Sequence, residues 1–124
     1  MTEKTKIDKM VIDGITYIPE NSKKESAKKD GLEFVIIRTY SAGVHAGYLK
    51  SREGKEVVLF EAIRLWKWSG AFTLSEMAMN GVSKPDECKF SIPVYTIILT
   101  EAIEVLSTTE DARKSLQGVK PCQI

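Results

Sequence analysis

A chain of 124 residues, 43% hydrophobic and 28% charged, has the make-up of one globular domain, long enough to bury a core without disulfides or a structural metal. Eighteen Lys and Arg against 17 Asp and Glu leave a net charge of +1. That balance gives no bulk attraction to nucleic acid or to an anionic membrane, so any anion site has to be local. The two cysteines, Cys88 and Cys122, stand far apart, match neither a zinc spacing nor a C-x-x-C pair, and read as reduced thiols. No apolar run approaches the length of a membrane span and no signal-peptide series opens the chain, so a cytosolic protein without a membrane partner is expected.

Taken in order, Met10 to Ile12 and Ile15 to Ile18 read as a small hairpin around Asp13-Gly14, ended by Pro19. Residues 20–30, ENSKKESAKKD, contain one Ala and no other apolar side chain. They cannot bury enough surface to offset the entropy of ordering them, and they read as a polar linker before a single α+β domain over residues 31–124. The lysines of this linker alternate with acidic residues, which favours a solvated loop over a nucleic-acid contact.

Leu32 to Tyr40, rich in β-branched and aromatic residues, predicts a strand. Val44 to Arg52 and Lys55 to about Phe60 predict two more, joined at Glu53-Gly54 in a register that sets Tyr48 opposite Leu59. Continued alternation places Ile63 and Leu65 on one face and Arg64, Trp66 and Trp68 on the other. In a helix the two tryptophans would lie about 200° apart and could not share a site. After Ser69-Gly70, a short helix is expected over Thr73 to Asn80, with Thr73 as N-cap, Glu76 completing a capping box, Gly81 past the end, and Leu74, Met77 and Ala78 as its buried stripe. Phe90 to Ile92, Tyr95 to Leu99 and Ala102 to Leu106 read as further strands around Pro93. Ser107 with Glu110 forms a second capping box for a helix that buries Ala112 and Leu116 and ends near Gln117 and Gly118. The expected fold is α+β: an antiparallel sheet of about five to seven strands with two short helices.

Enzymatic chemistry has little to stand on. The one histidine, His45, lies in no metal or nucleophile motif and reads as a strand residue making one hydrogen bond. Residues 51–56, SREGKE, contain Gly-Lys but lack the rest of a P-loop and read as a hairpin turn. No cofactor and no metal are expected. Binding fits better. Tyr40, Trp66, Trp68 and Phe72 could stack on a purine, although core packing is the competing role for each ring. Arg38 and Arg64, with the open backbone of Ser41 to Gly43, could neutralise phosphates, although a salt-bridged strand arginine is the competing role for each. Arg113 reaches such a site only through folding or from another subunit, and Ser41, Ser69 and Asn80 offer polar contacts.

The motifs R-T-Y-S-A-G-V-H-A-G-Y-L (38–49), S-R-E-G-K-E-V-V-L (51–59), R-L-W-K-W-S-G-A (64–71) and L-S-E-M-A-M-N-G (74–81) occur in that order. Over residues 32–117 the chain resembles a family of small phage proteins that contains the Thoeris anti-defence sponges. The resemblance implies a non-enzymatic protein that captures glycocyclic ADP-ribose, the signal made by a bacterial TIR-domain enzyme, in the cytoplasm of the infected bacterial host. It also implies a homo-oligomer, a dimer or higher, with ligand pockets near subunit junctions; some relatives hold cyclic oligonucleotide signals at separate sites. Adenine, pyrophosphate and ribose hydroxyls match the aromatic, cationic and polar residues above. The alternative reading is a phage single-stranded nucleic-acid-binding or assembly protein, since an aromatic and arginine strand face also serves single strands.

Overall fold

The computed structural model describes residues 28–123. The hairpin expected over residues 10–18 and the linker up to residue 27 lie outside the described residues. The chain runs β1 (Lys28–Lys29), β2 (Leu32–Thr39), β3 (Val44–Glu53), β4 (Glu56–Lys67), α1 (Leu74–Asn80), β5 (Lys89–Phe90), β6 (Val94–Leu99), β7 (Ala102–Ser107) and α2 (Glu110–Gln117), with a 3₁₀ turn at Pro85–Glu87. The architecture is the expected α+β one: a seven-stranded antiparallel sheet and two helices.

Strands β2, β3 and β4 are consecutive neighbours, β7 adds to β2, and β6 adds to β4 beside the short β5. β6 and β7 thus sit at opposite ends of the path β7-β2-β3-β4-β6, yet only Thr100 and Glu101 separate them in sequence. The sheet must curl for that short connection to close. Its convex side carries α1 and α2, whose Met77 and Leu116 join a cluster with Phe34, Ile36, Ala46 and Leu65. Its concave side buries Val35, Ile37, Val57, Leu59, Ala62 and Leu99 among strand residues alone. Phe34 to Ile37 are all 0% exposed, because β2 is covered on both faces. Such a strand needs an unbroken apolar run rather than alternation.

Asp30 and Gly31, with φ of 53° and 79°, make the tight turn between β1 and β2, so the end of the polar segment is built into the sheet through a D-G turn. The β3–β4 turn lies one residue later than expected, at Gly54-Lys55, with Glu53 opposite Glu56. Two register shifts follow, and Tyr48 faces Phe60 rather than Leu59. The second shift is a bulge: Glu61 is the extra residue of β4, with φ of 53°. It is accommodated opposite Gly47, where a Cβ would stand 3.0 Å from the Phe60 carbonyl oxygen and 3.1 Å from the Ala62 Cα.

Helix α1 has Thr73 as its N-cap, as expected, but Glu76 reaches back one residue further than a capping box, to Phe72. Thr73 accepts the Glu76 N–H at 3.0 Å, while the Glu76 carboxylate accepts the Phe72 N–H at 2.8 Å. The cap of α2 is Thr109 rather than Ser107, which is the last residue of β7 and pairs with Val35. Thr109 Oγ1 accepts the Ala112 N–H at 3.1 Å and donates to the Met79 carbonyl at 2.7 Å, so one hydroxyl both starts α2 and ties it to α1. Both cysteines are free thiols, Cys88 buried and Cys122 exposed. No helix among the described residues is long and apolar enough to cross a membrane.

Candidate functional site

Past its bulge, β4 carries Arg64 and Trp66 two residues apart and therefore on one side of the strand. The Arg64 N–H donates to Ser91 Oγ at 2.8 Å and the Ser91 N–H donates back to the Arg64 carbonyl at 3.0 Å, which pins the end of β5 against β4. The Cys122 N–H donates to the Phe90 carbonyl at 2.8 Å and brings the C-terminal tail alongside. Together Arg64, Trp66, Phe90, Ser91 and Cys122 enclose a recess of about 130 Å³. Trp66 is 75% exposed, and Arg64 has no ion-pair partner among the described residues. Trp68 does not continue this face. It lies beyond the end of β4, half-buried against the convex-side cluster, because the strand stops at Lys67 and alternation stops with it.

The other expected ligand residues are placed elsewhere. Arg38 donates to Glu104 at 2.9 Å and Ser41 to Glu101 at 2.5 Å, so this end of the sheet already pairs its cation and its hydroxyl with carboxylates. The backbone beside them is partly used as well: Thr39 Oγ1 accepts the Ala42 N–H and donates to the Gly43 carbonyl. Tyr40 stands 79% exposed next to this corner. Ser69 donates to Glu87 at 2.9 Å, Phe72 is exposed just ahead of α1, and Asn80 is the exposed last residue of that helix. Arg113 is half-buried on α2, ion-paired with Glu110, and donates from Nη1 to Gln117 Oε1 at 2.6 Å. Its hydrogen bond holds the Glu110 carboxyl below the usual range.

A larger cleft, of about 400 Å³, also has Phe90 and Ser91 in its lining but includes Ile63, on the face of β4 opposite to Arg64. Ile63, Leu116 and Val119 line it with Phe90, while Pro93, Val94 and Pro121 complete its apolar wall. Its other polar members are Glu61, Tyr95 and Gln117. Glu61 accepts from Lys29 Nζ at 3.0 Å, and that ammonium lies 5.7 Å from the centre of the Tyr48 ring. The hydrogen bond to Glu61 is the main cause of an upward shift in the Lys29 pKa. Gln117 Nε2 is 3.5 Å from the Tyr48 hydroxyl, so Arg113 borders the cleft through Gln117. The residue patterns above do not single out Glu61, Tyr95 or Gln117. They come from β4, β6 and α2, and only the fold brings them together.

His45 sits in β3 opposite Ile37 and Arg64, 1% exposed. Neither ring nitrogen has a hydrogen-bond partner among the described residues, which corrects the expectation of one hydrogen bond. Burial, and secondarily the Arg64 charge, lowers its pKa from 6.5 to about 4. The ring is therefore neutral near pH 7 and closed off from solvent. Among the described residues no group of three or more His, Cys, Asp or Glu is placed to hold a metal ion.

Residues 32–116 match the model of a family described as a domain of unknown function, DUF6948. The chain belongs to that family. No curated protein and no solved structure matches it. The family segment begins at the first residue of β2 and ends in the last turn of α2, so it contains Arg64, Trp66, Glu61 and Tyr95, whereas Gln117, Val119 and Cys122 lie just beyond it.

Proposed function

We propose that this protein is a non-enzymatic sponge that binds the glycocyclic ADP-ribose signal of Thoeris immunity and sequesters it uncleaved, in the cytoplasm of the infected bacterial host. The observation that carries the reading is the pairing of Arg64, a guanidinium without an ion-pair partner among the described residues, with the exposed indole of Trp66 in one recess. A pyrophosphate asks for the first and an adenine for the second. The second cleft, about 400 Å³, falls within the range of small-molecule sites. The motif resemblance supports the same reading, since R-L-W-K-W-S-G-A contains both residues and its span nearly coincides with the family segment.

A sponge has to outcompete a receptor, so nanomolar affinity, near −12 kcal/mol, is expected. Affinity of that order calls for enclosure, and one chain leaves Trp66 and Tyr95 largely bare. A homo-oligomer, dimer or higher, supplies the missing wall. Cyclic oligonucleotide signals are second candidates for capture by the same protein.

Intrinsic fluorescence tests this directly, because the chain has only two tryptophans. Titration with glycocyclic ADP-ribose should quench Trp66. Trp66→Phe should remove most of the signal change, and Arg64→Ala should weaken binding at least about 10-fold through the lost charge-assisted bonds. A flat titration contradicts the reading. Binding of single-stranded DNA with a steep salt dependence would favour the nucleic-acid alternative instead.

A further inference from the structure

We infer that the outer edge of β6 is a docking surface for a second copy of this chain, the two β6 strands pairing antiparallel across a two-fold axis at Tyr95, with Lys89 of each copy meeting Glu101 of the other. A sponge needs an oligomer but does not fix where it forms, and this edge stands or falls without reference to any ligand.

The first argument is an edge left open. Lys89 stands opposite Lys67, Val94 opposite Ala62 and Leu99 opposite Val57, so residues 89–99 follow β4 with a local irregularity at Phe90. β5 and β6 pair with no other described strand, and β7, next in the chain, turns to β2. The C-terminal tail closes one end, where the Cys122 N–H takes the Phe90 carbonyl. Beyond it the window from Ile92 to Ile98 has no backbone partner outside β4 among the described residues, and its centre is Tyr95. Edges that stay single in water are blunted by charge or covered. This one is neither: residues 91–100, SIPVYTIILT, contain no charged side chain, and Ile92, Val94, Tyr95 and Ile98 are all exposed.

Symmetry and charge choose the occupant. Antiparallel pairing about Tyr95 sets Ile92 of one copy opposite Ile98 of the other, and no like charges face each other anywhere in the window. Just outside it, opposite charges stand at opposite ends. At one end Lys89 and Lys67 are directly opposed on β5 and β4, both exposed and neither ion-paired among the described residues. Like charges so placed are destabilising, and a carboxylate beside them removes the penalty. At the other end Glu101 is exposed and accepts from Ser41. The two-fold brings Glu101 of each copy to the lysine pair of the other. The β7 edge is a poorer mate: it carries Glu104, already held by Arg38, and a β6-to-β7 contact would be head-to-tail, giving rings or filaments rather than a dimer. Pro93 withholds one N–H from the ladder, so the exposed side chains must supply part of the affinity.

Sedimentation of the full chain without ligand tests this. At high concentration the wild type should run as a dimer that dissociates on dilution. Tyr95→Lys puts two like charges at the axis and should weaken the dimer at least about 100-fold. Lys89→Glu and Glu101→Lys should each weaken it by about 2- to 30-fold, each acting at two symmetric contacts, and the two together should restore it. Circular dichroism and dilute-solution melting temperatures that match the wild type would assign the losses to the contact rather than the fold. A dimer that these variants leave intact overturns the inference, and so do larger open-ended assemblies. A monomer at high concentration overturns it too; if its β6 amides are nevertheless protected from hydrogen exchange, the chain's own residues 1–27 hold the edge. No ligand is present, so failure of the sponge reading leaves each of these outcomes unchanged.

Discussion

The two flanks of the sheet are finished differently. Over β2 and β3, helices α1 and α2 close a core in which Phe34, Ile36, Met77 and Leu116 have almost no exposed surface. The polar atoms there are used locally: Thr108 donates to the Phe34 carbonyl at 2.6 Å, and Ser115 both accepts from and donates to Val82. Along β4 and β6 the helices give out, a cleft opens, and Val94, Tyr95, Ile98 and Trp66 keep much of their surface in solvent. The first flank holds the fold together. The second spends apolar surface without burying it, which a single chain has no stability reason to do.

If that division is right, substitutions on the two flanks should separate stability from binding. The largest loss of stability is expected from Met77→Ala: a fully buried side chain leaves a cavity, and chemical denaturation should show about 3 to 4 kcal/mol lost. Acid comes next. His45 has a folded pKa of about 4 against 6.5 unfolded, so the fold prefers the neutral ring. Its contribution is complete above pH 6.5 and is lost as pH falls through 6.5 towards 4, a total of roughly 3 kcal/mol. Stability curves over that window should therefore be steeper for the wild type than for His45→Leu. Thr109→Ala removes both the α2 cap and the bond to α1 and should cost about 1 to 2 kcal/mol.

On the open flank the same measurements should hardly move. Trp66→Ala and Tyr95→Ala should change stability by less than about 0.5 kcal/mol while weakening ligand binding. A loss comparable to that of Met77→Ala would mean that these rings serve the fold after all.

Much of the closed flank was legible in the sequence. The apolar run at Phe34 to Ile37 is what a strand buried on both faces requires, and Thr73, Glu76 and Gly81 mark the ends of α1 by local chemistry. For α2 the local pattern points to Ser107, which has Glu110 three residues on, whereas the cap is Thr109. The pairing of Ser107 with Val35 decides, because it extends β7. The open flank was less legible. A bulge at Glu61 depends on how closely β3 passes at Gly47, a contact between strands that periodicity within one strand does not encode. The bulge and the end of β4 at Lys67 then decide which side chains share a face, leaving Trp66 with Arg64 and sending Trp68 to the core. Arg38 and Ser41 were readable as polar strand-end residues, but their carboxylate partners lie 66 and 60 residues away.

The central claim is that this chain holds a nucleotide signal without altering it. The most direct measurement is a melting curve of the full chain with and without glycocyclic ADP-ribose, followed by heat denaturation of the complex and chromatography of the released nucleotide. Ligand at about 100 times its Kd should add about 2.7 kcal/mol of stability, and the nucleotide should come back intact. A shift with a changed nucleotide, or no shift at all, would contradict the account.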